Sequence, residues 1–207
     1  MDIAAAERAI GYKFKDNRLL TRALTHSSAS RTDNYEKLEF LGDSVIQLAV
    51  TKWLYANGGD EGEMTAERQR LVSHWPLKRA SEALGLTNYI INVGDVGEKA
   101  LSSVYEAVAG AIFADGGFAA AERFIKRTLI SAHLSAPKNY KGELQEYVQS
   151  KGAPLPEYRT ERSGGTANSP QFVCNLLVCG KSFSGTGKSK SEAEKRAAKS
   201  ALEAMVK

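Results

Sequence analysis

Residues 35–50 read YEKLEFLGDSVIQLAV, and the organisation of the chain follows from how this stretch folds. Leu38, Phe40, Leu41, Val45, Ile46 and Leu48 recur at helical rather than alternating spacing, and no Pro interrupts the run before the Asn57-Gly58-Gly59 turn. A helix over 35–55 is expected, largely buried because apolar residues cover most of its surface. Its acids Glu36, Glu39 and Asp43 stand at i, i+3 and i+7, within roughly 60° of one another on a helix. Like charges on one buried stripe repel unless a cation neutralises them. Hard oxygen donors select a divalent ion, magnesium or manganese. A solvated acidic stripe is the competing reading, and Gly42 weighs against it: mid-helix glycine costs ~1 kcal/mol of propensity, which close backbone packing offsets.

A second candidate helix, 101–113 within LSSVYEAVAGAIFADGG, places Glu106 among Val104, Val108, Ile112 and Phe113, with Ala and Gly residues that admit a neighbouring helix. An acid in such surroundings needs a partner. Alone, a salt bridge would explain it; with the Glu36 stripe in the same domain, a shared metal site explains both.

Around these two runs, helices are expected at 4–10, 17–25 (capped by Asp16), 65–72, 76–84 and 119–134, with no alternating strand before 139. The result is an all-α domain over 1–134, followed by a linker at 135–140. Residues 141–207 change pattern to a small α+β domain of order α-β-β-β-α: helix 143–151, strands 157–162, 171–178 and 181–185, helix 189–206. SGGTANSP at 163–170 reads as a flexible hairpin loop.

The chain has 207 residues, 43% hydrophobic and 25% charged, which excludes a disordered or collagen-like protein. Residues 1–139 balance 17 basic against 17 acidic side chains, so the whole net charge of +4 lies in 140–207. A neutral larger domain with a basic tail suggests a polyanion-binding module, a solvated basic face being the alternative. No apolar run reaches the ~18 residues of a membrane span and no secretory signal opens the sequence, so a cytoplasmic location without membrane association is expected. Cys174 and Cys179 are expected to be reduced packing residues. His26, His74 and His133 are scattered and suggest no Ser-His-Asp or Cys-His arrangement.

YEKLEFLGDSV at 35–45 resembles the signature helix of the ribonuclease III family, and EAVAGAIFADGG at 106–117 its second catalytic helix. ALTHSS at 23–28, Asn34 and EGEMTAERQRLVS at 61–73 match the stretches around them. LQEYVQSKGAPLPEY at 144–158 and FVCNLLVCGKSFSGTGKSKSEAEKRAAKSAL at 172–202 resemble that family's double-stranded RNA-binding domain. The resemblance implies an all-α endonuclease domain joined to that domain, acting as a homodimer that hydrolyses double-stranded RNA with Mg2+, Mn2+ being a possible substitute. It implies 5′-phosphate and 3′-hydroxyl ends with a two-nucleotide 3′ overhang, and roles in rRNA and mRNA processing. It places Glu36, Glu39, Asp43 and Glu106 at metal positions, Asp43 and Glu106 as the catalytic pair, and Glu61 at a further acidic position near the cleavage valley. Phe40 corresponds to an aromatic that plugs into the partner subunit, although a Phe buried within its own chain would look the same.

In the tail the resemblance puts Gln145 and Glu146 at one minor groove and the 163–170 loop, with Asn168, at the next. Ser189 to Glu192 reads as a capping box that starts the last helix and gathers Lys188, Lys190 and Ser191 at its positive end, where phosphates would settle. Lys195, Arg196 and Lys199 follow as a solubilising face.

One position departs from the family: Ser103 stands where it carries a metal-binding Asp. A bridging water could join Ser103 to the ion, and Asp95 or Glu98 in the preceding loop could supply the missing charge. The alternative is a duplex-RNA-binding dimer whose cutting is weakened or lost.

Overall fold

A computed structural model describes residues 2–134, 136, 138–166 and 169–205, which divide into two compact units, Met1–Pro137 and Lys138–Lys207. The first is all-helical: α1 (Ile3–Ile10), α2 (Asn17–Ala23), α3 (Glu36–Asn57), α4 (Glu61–Leu71), α5 (His74–Ala83) and α6 (Glu98–Ile125). A 3-10 turn at Leu86–Tyr89 precedes α6, and a π turn at Lys126–Ile130 continues it. Among its described residues the sheet-like pairing is one isolated bridge between Thr25 and Ile91.

α6 is the axis of this unit. Its Val104, Tyr105, Ala107, Val108, Ala109, Ala111 and Ile112 are all sealed from solvent, with α3 packed most extensively against it and α5 next. By length and composition it could pass for a membrane span, but 56% of that apolar window is buried inside the unit, as befits a core helix. The two helices expected at 101–113 and 119–134 are both present and meet at a kink, where Gly117 takes the non-helical angles φ 74° and ψ 179°. Just before the kink, Asp115 ties α6 to the start of α2, accepting hydrogen bonds from the Tyr12 hydroxyl and the Lys15 and Asp16 amides.

Two expectations need correction. α4 begins at Glu61 rather than 65, because Asp60 and Glu63 form a reciprocal capping box that satisfies two first-turn amides. α3 is buried on one face only, through Leu38, Val45, Ile46, Ala49, Val50 and Leu54. Phe40 (81% exposed), Leu48 and Tyr55 lie on the other face in water.

The second unit is α7 (Tyr140–Ser150), β1 (Glu157–Thr166), β2 (Ser169–Val178), β3 (Lys181–Gly187) and α8 (Lys190–Met205), with the strands antiparallel in the order β1-β2-β3. Helix α7 starts at Tyr140, inside the stretch expected as linker. Cys174, Leu176 and Val178 alternate inward from β2 onto Leu144 and Val148 of α7 and Ala193, Ala197, Ala198 and Ala201 of α8. Lys141 pairs with Glu194 at 2.7 Å, and Thr160 donates to the same carboxylate, pinning α7, α8 and β1 together.

Within 163–170 the described residues are paired strand rather than free loop. Pairing continues through Gly164–Gln171, Gly165–Pro170 and Thr166–Ser169 after a bulge, and the Arg162 guanidinium binds the carbonyls of Gly164, Gly165 and Thr166. Asn168 lies outside the described residues. Cys179, expected as packing, is instead exposed in the β2–β3 turn with a left-handed φ of 48°, followed by Gly180 at 71°.

Candidate active site

The acids meet because two helices cross almost backbone to backbone. A Cβ placed on Gly42 would lie 1.8 Å from the Glu106 carbonyl oxygen, and one on Gly110 would lie 2.2 Å from that of Leu38. Only glycine at both positions allows so close an approach. The crossing sets Glu39 and Asp43 of α3 against Glu106 of α6. Glu106 is held well above the usual carboxylate range, at about 8, first by burial and then by the charges of Glu39 and Asp43, with Lys99 opposing. No ion pair neutralises it among the described residues.

The surroundings fix the remaining side chains. Asn34, 6% exposed, donates to the carbonyls of Ser30 and Arg31 and accepts from the Glu36 amide, so it sets where α3 begins. The Gln47 amide donates to both oxygens of Asp43 at 3.0 Å, one turn further along α3. Glu36 and Glu39 line a cleft of about 280 Å³ with His26, Tyr35, Gly97, Lys99, Ala100 and Ser103. Glu36 sits at its rim and also borders a smaller depression with Arg22, Arg31 and Lys37. His26 packs edge-on against Tyr35 and is bonded through Nδ1 to Ser28, a structural placement.

Ser103 is 4% exposed, and its hydroxyl is engaged with the Tyr35 phenol, favouring that phenol's ionisation against the stronger effect of burial. Of the residues expected to compensate, Glu98 is paired with Lys78 at 2.8 Å, and Asp95 is an exposed loop residue outside the cleft lining. Glu61 is also elsewhere: it opens α4, beyond the far end of α3, beside a separate depression with Leu54, Tyr55, Met64 and Arg68. From Asp43 to Asn57 alone α3 climbs roughly 21 Å at 1.5 Å per residue. Within one protomer, then, Glu39, Asp43 and Glu106 are brought together, Glu36 and Ser103 adjoin them, and Glu61 does not.

In chemistry these donors suit a hard divalent ion: carboxylates sharing an unneutralised charge, one of them half-buried. Among the described residues, however, no three His, Cys, Asp or Glu side chains already converge closely enough to hold one. Ser103, engaged with Tyr35, offers such an ion no charge, and water would have to complete its shell.

The profile described as Ribonuclease-III-like matches residues 16–133. The chain belongs to the ribonuclease III family. The double-stranded RNA binding motif matches 140–205, so the α-β-β-β-α unit of this family member is a double-stranded RNA-binding domain. Ribonuclease 3 of Sinorhizobium fredii is 38% identical, covering 98% of this chain and 91% of its own; that of Oceanobacillus iheyensis is 36% identical, covering 99% of each. The crystal structure of the nuclease domain of ribonuclease III from Campylobacter jejuni is 32% identical with a TM-score of 0.60, covering 63% of this chain and 95% of that one. Another structure of that domain is described as flexible in a region involved in dimer formation.

In the RNA-binding domain of this ribonuclease III family member, Gln145, Glu146, Lys188, Lys190 and Ser191 are all exposed. The start of α8 differs from the expected capping box in one bond. Ser189 Oγ accepts from the Glu192 amide, but the Glu192 carboxylate takes the Lys188 amide rather than that of Ser189, and also pairs with Arg196 at 2.6 Å. The amides of Lys190 and Ser191 have no acceptor within the helix, by its geometry.

Proposed function

We infer that the chain is an endoribonuclease that cuts double-stranded RNA by divalent-metal-dependent hydrolysis, with Mg2+ as the natural ion and Mn2+ as a substitute. The observation that carries this reading is the Gly42–Gly110 crossing, which sets Glu39 and Asp43 against a half-buried Glu106 in a chain whose tail reads duplex RNA.

Glu39, Asp43 and Glu106 would hold the ion, with Glu36 at the rim. A bound ion of this kind lowers the pKa of a water and stabilises the leaving 3′-oxygen, yielding 5′-phosphate and 3′-hydroxyl ends. Gln47 orients Asp43, Asn34 fixes the Glu36 end of α3, and the glycine crossing sets the spacing between the two helices. The carboxylates do not attack RNA themselves.

The chain acts as a homodimer. Phe40, Leu48 and Tyr55 form an exposed apolar stripe on α3, as a self-complementary two-fold interface requires, and the depression of about 230 Å³ between α3 and α4 is a socket for the partner's Phe40. Two centres related by two-fold symmetry cut each strand once and leave a two-nucleotide 3′ overhang. The full-length kinship supports cytoplasmic rRNA and mRNA processing as its setting.

The test is a long RNA duplex incubated with and without Mg2+. Cutting should require the ion, and Glu106→Gln should abolish it while leaving duplex binding intact. An uncut duplex that is still bound would establish the binding-only reading, in which Ser103 has disabled the site.

A further inference from the structure

The bonds that hold His26 in place also decide which of its ring nitrogens carries the proton. The Ser28 amide lies 3.0 Å from Nδ1, and an amide N–H only donates, so Nδ1 is the bare acceptor. Ser28 Oγ, 2.9 Å from the same nitrogen, accepts from the Val93 amide, which leaves its own hydrogen for Nδ1. Two donors converge on Nδ1, and the neutral ring keeps its proton on Nε2. The surrounding backbone is fixed as well. The His26 amide donates to the Ile91 carbonyl, the Tyr35 amide donates to the Thr25 carbonyl, and the Tyr35 ring meets the imidazole edge-on at 5.5 Å between centroids.

This half-buried ring lines the cleft that holds Glu36 and Glu39, and its Nε2 has no partner among the described residues. Buried polar groups are ordinarily satisfied, and here the fold supplies an N–H without an acceptor. A nitrogen that bears a proton has no lone pair for a metal ion, so His26 is not one more ligand beside the acids. What it can hold is an acceptor oxygen. RNA entering the cleft brings such oxygens on its phosphates and its 2′-hydroxyls.

We propose that His26 Nε2–H donates to a sugar–phosphate oxygen of the RNA strand in the cleft, a fixed neutral donor that positions that strand on the acids. The assignment rests on the cleft being the cutting site. The contact is read first without cleavage, by proton–nitrogen NMR of the full-length Glu106→Gln chain, with His26→Asn identifying which of the three histidines gives the signal. Nε2 should carry the proton in the free chain, and that proton should shift and exchange more slowly when a short RNA duplex and Mg2+ are added. Cutting is measured next, in Mg2+ under single turnover. His26→Asn keeps the Ser28 bond, because Asn accepts from the amide two residues on in an Asx turn, but it removes the cleft donor. It should slow cutting about tenfold, the scale of one hydrogen bond, with the salt slope of duplex binding unchanged because a neutral donor displaces no counterion. His26→Gln loses the Ser28 bond, yet its amide reaches the Nε2 position, so it should cut faster than His26→Asn. Duplexes with 2′-deoxy nucleotides flanking the cut separate the two oxygens. If His26→Asn still slows their cutting tenfold, the acceptor is a phosphate; if it slows them no further, the acceptor is a 2′-hydroxyl.

A proton found on Nδ1, or an Nε2–H unmoved by bound RNA, overturns the proposal. So does a His26→Asn chain that cuts as fast as the original, or a His26→Gln chain slower than His26→Asn, the order that a purely structural role gives. If the original chain cuts in no divalent ion while RNA still shifts the Nε2–H, the contact stands and the enzymatic reading falls.

Discussion

Replacing Gly42 by Ala tests the crossing on which the site depends. The added Cβ would sit 1.8 Å from the Glu106 carbonyl oxygen, 2.6 Å from its carbonyl carbon and 2.9 Å from the Gly110 nitrogen. These are backbone atoms of a buried helix, so no side chain can swing aside. α3 and α6 must part by roughly 1.5 Å, at the upper end of the ~1–3 kcal/mol that overpacking costs. Alanine returns ~1 kcal/mol of helix propensity, which leaves a net loss of about 2 kcal/mol. Both tryptophans, Trp53 and Trp75, lie in the first unit, so their fluorescence during urea unfolding reports on it alone. The midpoint should fall with the slope unchanged. Parting the helices also moves Glu106 from Glu39 and Asp43, so cutting should drop about 100-fold even where the domain is fully folded, since a 1 Å misplacement has that scale of effect. A Gly42→Ala chain as stable as the original and equally active would refute the argument.

Glu106→Gln should stabilise the metal-free protein at alkaline pH. The folded-state pKa of about 8 lies above the ordinary value of 4.5, so the stability Glu106 contributes is complete below pH 4.5 and is lost as pH rises through 8. Discounting the shift for partial solvent exposure, the variant should gain about 1–2 kcal/mol at pH 9 and little at pH 5; parallel melting curves at both pH values would exclude this. Ser103→Asp should lower the Mg2+ concentration for half-maximal cutting, and a magnesium titration shows the idea to be wrong if the half-point stays or rises. Lys190→Ala should reduce the salt slope of duplex binding by about one contact; an unaltered slope removes Lys190 from the interface. Cys179→Asn should stabilise the RNA-binding domain by about 0.5–1 kcal/mol, because Asn tolerates the left-handed first position of a two-residue hairpin turn, as urea unfolding of that domain followed by circular dichroism will show.

The acid-bearing helices were legible in the sequence because helical spacing and an expensive mid-helix glycine point the same way, and Gly42 does meet another backbone. The free face of α3 was not. Phe40 and Leu48 have the same sequence signature whether they fill their own core or await a second surface, and only the burial pattern separates the two. α4 is so polar that hydrophobic periodicity could not mark its start, although the Asp60–Glu63 capping pair was there to be read. SGGTANSP has loop composition; the pairing of 164–166 with 169–171, beside which Arg162 binds the three carbonyls that follow it on its own strand, has no apolar alternation to mark it. Lys99 passed unnoticed because a lysine in a charged loop-to-helix junction looks solvated until the cleft is seen around it.

Ser103 and Lys99 change the site in the same direction. One is a neutral hydroxyl where the resemblance to the family implies an acid, and the other sets a positive charge beside Glu106. Together they lessen the attraction for a divalent ion and the repulsion of a phosphate. The tight crossing tolerates Glu106 without metal because burial and the charges of Glu39 and Asp43 outweigh Lys99: a carboxyl with a pKa of about 8 is mostly protonated at neutral pH, and a neutral acid can sit against Glu39 and Asp43 at little cost. An ion entering the site must then expel that proton, so metal affinity should increase with pH over the range in which Glu106 ionises. The substitution at 103 thus need not abolish cutting.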